Sequence, residues 1–141
     1  MIAYFDTSAL VKLVVEEFGT DRAQRLWQES SQVVSTTLLY PEARAALRKA
    51  RRERRLGDPE LRLAVRALER LWGRLERMIV AVPLAVRAGE LAAAFDLRGY
   101  DAVHLAAAET LAGGASVFVA ADRDLCNAAA RLGLFVARVG L

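Results

Sequence analysis

Two aspartates each follow an apolar run that contains no charged residue. Asp6 comes directly after Met1–Phe5, and Asp122 follows the run at 117–121. In an open parallel sheet, ligands bind outside the carboxyl ends of the strands, so polar residues immediately after strands are candidates for chemistry. Aspartate is also a good N-cap for a helix. Each of the two residues therefore has two possible roles, in a binding site or at a helix terminus.

Glu42 and Asp101 are two further acids whose positions need an explanation. Glu42 shares a predicted helix face with Ala46 and Ala50, where a lone acid is costly to bury unless a cation or metal pairs with it. It could equally be a first-turn acid stabilised by the helix dipole. Asp101 opens an alanine-rich helix and could be its N-cap. Four separate coincidences are needed if every one of these acids is structural.

Acids that converge in one place predict a bound cation. Four neighbouring carboxylates repel one another and raise each other's pKa values unless a divalent ion neutralises them. Carboxylate and water oxygens are the ligands that Mg²⁺ and Mn²⁺ prefer. Such ions can activate a water and stabilise the leaving oxygen when a phosphate ester is cleaved. Metal-dependent hydrolysis of phosphodiesters follows as a hypothesis.

Short apolar runs alternate with helical patterns along the chain, which predicts a parallel sheet covered on both faces. The length of 141 residues suits a single α/β domain over residues 1–141, with three layers and four to five strands. Thr20 and Asp58 are predicted helix caps, the latter followed by a proline at the first helical position. Strands are predicted at 1–5, 33–36, 78–82, 116–120 and 134–139, and helices at 8 onward, 20–30, 38–55, 58–77, 84–95, 100–111 and 122–132.

The net charge of +3 conceals two opposite regions. Residues 44–77 contain twelve Arg or Lys and five Asp or Glu, a balance of +7, whereas the remaining residues together carry −4. This asymmetry suggests a polyanionic partner, although basic helix faces are often only solvated surface. One predicted helix has a buried apolar stripe and, opposite it, an arginine ridge that consists of Arg62, Arg66, Arg70, Arg74 and Arg77.

Several other classes of protein are excluded or poorly supported. Cys126 is the only cysteine, which rules out an internal disulfide and favours a small buried side chain. His104 is the only histidine and no GxSxG is present, so a Ser/His/Asp or Cys/His hydrolase is poorly supported, and His104 is predicted to be a hydrogen-bonded structural residue. The chain lacks GxGxxG and a phosphate-binding loop. It also has no apolar run of about 18 residues and no signal peptide, so we expect a cytoplasmic protein without a membrane span.

Four motifs together resemble the PIN domain family, and most closely its VapC-type toxins. They are Asp6-Thr7-Ser8, Glu42, the block Gly99-Tyr100-Asp101-Ala102-Val103-His104-Leu105-Ala106, and Val119-Ala120-Ala121-Asp122-Arg123-Asp124-Leu125. The resemblance covers essentially the whole chain, in order and at the usual spacing. It departs from the family at Ala120, where Thr or Ser is usual two residues before the fourth acid; this weakens the case for support of a second metal near Asp122.

The resemblance implies a Mg²⁺- or Mn²⁺-dependent endoribonuclease of a toxin–antitoxin pair. Its catalytic acids would be Asp6, Glu42, Asp101 and Asp122, of which Asp6 and Asp101 are the surest metal ligands. Ser8 could hold a water on the metal, and Asp124 could assist, although Asp124 also fits an exposed helix position. The resemblance further implies an RNA substrate, an antitoxin partner and a homodimer. The alternative is a non-catalytic RNA-binding or regulatory module, in which the basic helices hold phosphates and the acids are caps.

Overall fold

An all-parallel sheet forms the centre of the structure, a computed structural model that describes residues 1–141. Its strand order is β3-β2-β1-β4-β5. The most apolar strands are central because both of their faces are covered by helices. The strands are β1 (Ile2–Phe5), β2 (Gln32–Thr36), β3 (Glu76–Met78), β4 (Ser116–Ala120) and β5 (Val136–Arg138). The predicted α/β class with a parallel sheet is confirmed.

Seven helices cover the two faces of the sheet. They are α1 (Thr7–Val11), α2 (Thr20–Glu29), α3 (Leu39–Arg52), α4 (Asp58–Arg74), α5 (Val82–Phe95), α6 (Gly99–Glu109) and α7 (Arg123–Arg131). Side chains alternate along a strand, so β1 contributes to both cores. Phe5 packs with residues of α1, α3 and α4 on one face, and Tyr4 packs with residues of α5, α6 and α7 on the other. No helix is both long enough and apolar enough to cross a bilayer.

The third strand lies earlier in the chain than predicted. The apolar run at 78–82 indicated a strand there, but β3 spans Glu76–Met78 and pairs only with β2. A strand at the edge of a sheet is less completely covered than a central strand, so its side chains need not be apolar, and Glu76 and Arg77 are exposed. Ile79 and Val82 are exposed, and Pro83 lies in the first turn of α5 rather than ending a strand. The prediction was therefore wrong in position.

Two predicted helix caps are also wrong by one residue. Gly19, not Thr20, is the N-cap of α2, and the Thr20 hydroxyl instead donates to the carbonyl of Lys12 at 2.8 Å. Gly57, not Asp58, is the N-cap of α4. Asp58 is the first helical residue and forms an ion pair with Arg51 at 2.6 Å. Both side chains therefore tie neighbouring segments together instead of capping the helix that follows them.

Candidate active site

The carboxyl edge of the sheet opens into a pocket of about 440 Å³ that all four predicted acids line. Asp6 follows β1, and Asp122 comes two residues after β4. Strands β1 and β4 are direct neighbours, with Phe5 opposite Val119. Glu42 and Asp101 enter from the first turns of α3 and α6. The topology thus brings together acids that are far apart in the sequence.

Asp6 is almost fully buried, with 3% of its surface exposed. It caps α1, because its Oδ1 accepts the Ala9 amide at 2.9 Å. The Ser8 hydroxyl is 2.7 Å from Oδ1 and 2.9 Å from Oδ2 of Asp6, and it also accepts the Ala121 amide at 2.9 Å. Burial raises the pKa of Asp6 to about 6 in spite of these bonds. Asp6 is a helix cap whose hydrogen bonds only partly offset the cost of burying its charge.

Glu42 is held by a chain of polar side chains that begins in the core. Its Oε1 lies 2.7 Å from Nε2 of His104 and accepts the Thr7 hydroxyl at 2.8 Å. On the other side of the ring, Nδ1 of His104 lies 2.7 Å from the hydroxyl of Tyr4. Burial opposes the ionisation of Glu42, but the bonds from His104 and Thr7 outweigh it and keep the pKa of Glu42 below its usual value.

His104 is 1% exposed and has a partner on each ring nitrogen, as predicted for a structural histidine. The sequence did not indicate that one of these partners is Glu42, because the two residues are 62 positions apart. The hydroxyl of Tyr4 can donate to Nδ1 while Nε2–H donates to Glu42, so each ring nitrogen has a hydrogen-bond partner. Burial raises the pKa of Tyr4 above its usual range, so this hydroxyl keeps its proton.

Arg98 is the site residue that sequence reasoning missed. Its Nε donates to Oδ2 of Asp101 at 3.0 Å, and a terminal nitrogen lies 3.9 Å from Oδ2 of Asp122. The three-residue spacing to Asp101 across the start of α6 could have indicated the first contact. Asp122 also caps α7, accepting the Leu125 amide at 2.8 Å. Asp124 lies outside the pocket, where it is 78% exposed and pairs with Arg123 at 3.6 Å.

The residues of the pocket suit a hard divalent cation by their chemistry. Asp6 is a buried carboxylate with no ion-pair partner, and Asp101 already attracts a guanidinium. Oxygen ligands of this kind favour Mg²⁺ or Mn²⁺. However, no three Asp, Glu, His or Cys side chains stand together as a ready set of metal ligands. Metal binding would therefore require side chains to rearrange, above all Arg98.

Comparisons with known proteins identify the family. The PIN domain family model matches residues 3–131. The chain is 40% identical over 136 residues to "Ribonuclease VapC49" of Mycobacterium tuberculosis, covering 96% of this chain and 94% of that protein.

Among solved structures, M. tuberculosis VapC20, described as a Sarcin-Ricin loop cleaving toxin, has a TM-score of 0.70 at 24% identity, covering 96% of this chain and 98% of that one. VapBC2 of Rickettsia felis, solved with a promoter DNA fragment, has a TM-score of 0.66 at 13% identity, with 99% of each chain covered. These two structures support the fold. The family match and the close relative confirm the predicted resemblance, and the chain therefore belongs to the PIN domain family, with similarity to its VapC-type ribonucleases.

Proposed function

We propose that this chain is a Mg²⁺- or Mn²⁺-dependent endoribonuclease and the toxin of a toxin–antitoxin pair. The observation that carries the proposal is the pocket lined by Asp6, Glu42, Asp101 and Asp122 at the carboxyl edge of the sheet. The 40% identity to a VapC ribonuclease over 96% of the chain supports RNA as the substrate. A cluster of acids at this edge is suited to phosphodiester hydrolysis because it could hold the divalent ion that neutralises negative charge on the reacting phosphate.

Asp6 and Asp101 would hold the metal, with Glu42 and Asp122 completing the acidic pocket. When bound, the ion would supply an activated water and stabilise the leaving oxygen. The chain's own residues orient these ligands. Ser8 and the Ala9 amide fix the carboxylate of Asp6. His104 and Thr7 fix one oxygen of Glu42, which leaves its other oxygen available to the pocket.

Basic residues connect the acidic pocket to the rest of the positive surface. Lys49 and Arg55 line the pocket beside the acids. The arginine ridge is exposed along α4 and beyond its end. Cationic side chains attract the phosphate backbone of a nucleic acid without reading its sequence. We infer that RNA lies across this surface while one of its phosphates reaches the acids.

A cognate antitoxin and a second copy of the chain are the proposed protein partners. The structural likeness of this chain to VapBC2 supports an antitoxin as its partner. The exposed apolar side chains Ile79, Val82 and Val86 belong to the segment that runs from the end of the edge strand β3 into α5, and we propose that they form the surface of a homodimer. A monomeric mass at micromolar concentrations would contradict the dimer. We further propose that the protein acts in the cytoplasm, where RNA is available.

The antitoxin proposal can be tested from the neighbouring gene. We expect a short reading frame that encodes a DNA-binding domain and a tail, and its product should form a stable complex with this chain. If the two purified products do not associate at micromolar concentrations, the toxin–antitoxin assignment is wrong. A ribonuclease that acts in ordinary RNA processing would then be the better description.

Cleavage of RNA by the purified chain, free of any partner, tests the enzymatic activity. We expect cleavage with Mn²⁺ or Mg²⁺ that EDTA abolishes, and its loss in Asp6→Asn and Asp101→Asn with RNA binding retained. Asp124→Asn is the matched control, because Asp124 is an acid outside the pocket. If a broad set of RNAs is bound but not cut with either metal, the non-catalytic RNA-binding module is the correct interpretation.

A further inference from the structure

Arg98 is the only arginine or lysine that forms an ion pair with any of the four predicted acids, Asp6, Glu42, Asp101 and Asp122; the fifth acid that lines the pocket, Glu17, pairs with Lys12. It precedes α6 as the N-cap residue, and its side chain is 79% exposed. One nitrogen bonds Asp101 at 3.0 Å, while the nearest approach to Asp122 is 3.9 Å, beyond hydrogen-bond distance. The guanidinium therefore reaches over the pocket from its mouth, and most of its donors face solvent.

The contact with Asp101 places Arg98 in competition with any cation that the acids bind. A carboxylate oxygen that accepts an arginine N–H offers less electron density and less room to a metal ion. An ion pair this exposed is weak, because water screens it and the arginine loses side-chain entropy in forming it. The contact can therefore be broken at little cost when a divalent ion approaches.

Once free, the guanidinium would stand at the mouth of the pocket with all of its donors available. Arginine presents five N–H groups in a planar fork that matches the oxygens of a phosphate. Its position near both Asp101 and Asp122 places this fork beside the acids. A phosphate of the RNA that reaches the acids would meet it there.

We propose that Arg98 is an exchangeable counterion: it neutralises Asp101 in the metal-free protein, yields that carboxylate to the divalent ion, and then holds an RNA phosphate. This inference rests on the proposed function, because it requires a metal site at Asp101. It gives the free protein a lower affinity for metal than its four acids alone would provide. It also links loading of the metal to engagement of the substrate.

A titration of the full chain with Mn²⁺, without RNA, tests whether Arg98 competes with the metal for Asp101. The electron paramagnetic resonance signal of the free ion measures how much Mn²⁺ is bound. Arg98→Gln should bind Mn²⁺ about fivefold more tightly, as expected if one exposed ion pair no longer competes. Arg98→Lys should show a smaller change because it keeps the charge. Arg123→Gln is the matched control, because Arg123 is 78% exposed and adjoins Asp122 in sequence, but pairs with Asp124.

If wild type binds Mn²⁺ and Asp101→Asn does not, the metal site exists. Unchanged or weaker Mn²⁺ binding by Arg98→Gln would then overturn the role of Arg98 and leave the proposed function standing. If wild type binds no Mn²⁺, both the inference and the proposed function are wrong. The second half predicts that, at saturating Mn²⁺, Arg98→Gln raises KM for a single-stranded RNA several-fold while kcat changes less. A fall in kcat with KM unchanged would contradict the phosphate contact.

Discussion

Replacing Asp6 with Asn should stabilise the protein at neutral pH even though it removes a proposed metal ligand. Asp6 is buried, and burial raises its pKa from the ordinary value of 3.8 to about 6. Between these two values the native state binds more protons than the unfolded state, so stability falls as pH rises through this range. Asn resembles the protonated acid and can still cap α1 through its side-chain oxygen.

The size of the effect follows from the two pKa values. With 3.8 in the unfolded chain and about 6 in the native protein, ionising Asp6 costs about 3 kcal/mol of folding free energy at about pH 7.5. At about pH 4.5 the same calculation leaves about 1 kcal/mol. Asp6→Asn should therefore exceed wild type in stability by about these amounts, and its advantage should shrink as the pH falls.

Urea unfolding of both proteins at the two pH values, with EDTA present, measures this difference directly. Other groups that titrate between the two pH values affect both proteins equally, so they cancel in the difference between Asp6→Asn and wild type. Asp124→Asn should differ from wild type by less than about 0.5 kcal/mol at both pH values, because Asp124 is exposed. A less stable Asp6→Asn at neutral pH, or a difference that does not change with pH, would refute the claim that the hydrogen bonds to Asp6 do not offset the cost of burying its charge.

Four further predictions concern the core, the backbone at two glycines, and the basic surface. Tyr4→Phe should lower the free energy of unfolding in urea by about 1–3 kcal/mol, because it leaves Nδ1 of His104 without a partner. Tyr40→Phe removes an exposed hydroxyl and should lower it by less than about 0.5 kcal/mol. Equal effects of the two substitutions would contradict the buried network. Gly73→Ala should stabilise by about 0.5–1 kcal/mol, since nothing lies within 4 Å of an added Cβ in this helix. Gly19→Ala should destabilise by more than about 2 kcal/mol, because φ is +98° and the Cβ would lie 2.5 Å from the amide nitrogen of Gly140; a neutral result would refute the close approach. Gln in place of three residues of the arginine ridge should lower the salt dependence of RNA binding by a slope of about 2, and an unchanged slope would place the RNA elsewhere.

The central strands and their acids were predictable because burial leaves a clear pattern in the sequence. Strands β1 and β4 have both faces covered, so they appear as uncharged apolar runs, and the residues after them must lie at one edge of the sheet. Strand β3 was misplaced for the opposite reason. Its residues Glu76 and Arg77 are exposed at the sheet edge, while the apolar Ile79 that suggested a strand is itself exposed.

The contacts within the site could not be predicted, because they depend on how helices from distant parts of the chain pack. His104 reaches Glu42 only because α6 and α3 both approach the end of β1. Arg98 meets Asp122 only because α6 begins beside the start of α7. Residue types and spacing can indicate which acids converge. They do not indicate which positively charged group or hydrogen-bond donor contacts each carboxylate oxygen.

The central claim is that Asp6 and Asp101 hold a divalent ion that serves RNA cleavage, and crystals of the full chain grown with Mn²⁺ test it most directly. Anomalous scattering at the manganese edge should give its strongest peak in contact with these two carboxylates, with Arg98 withdrawn from Asp101. A strongest peak elsewhere on the surface, or no peak in the acidic pocket at millimolar Mn²⁺, would contradict the account.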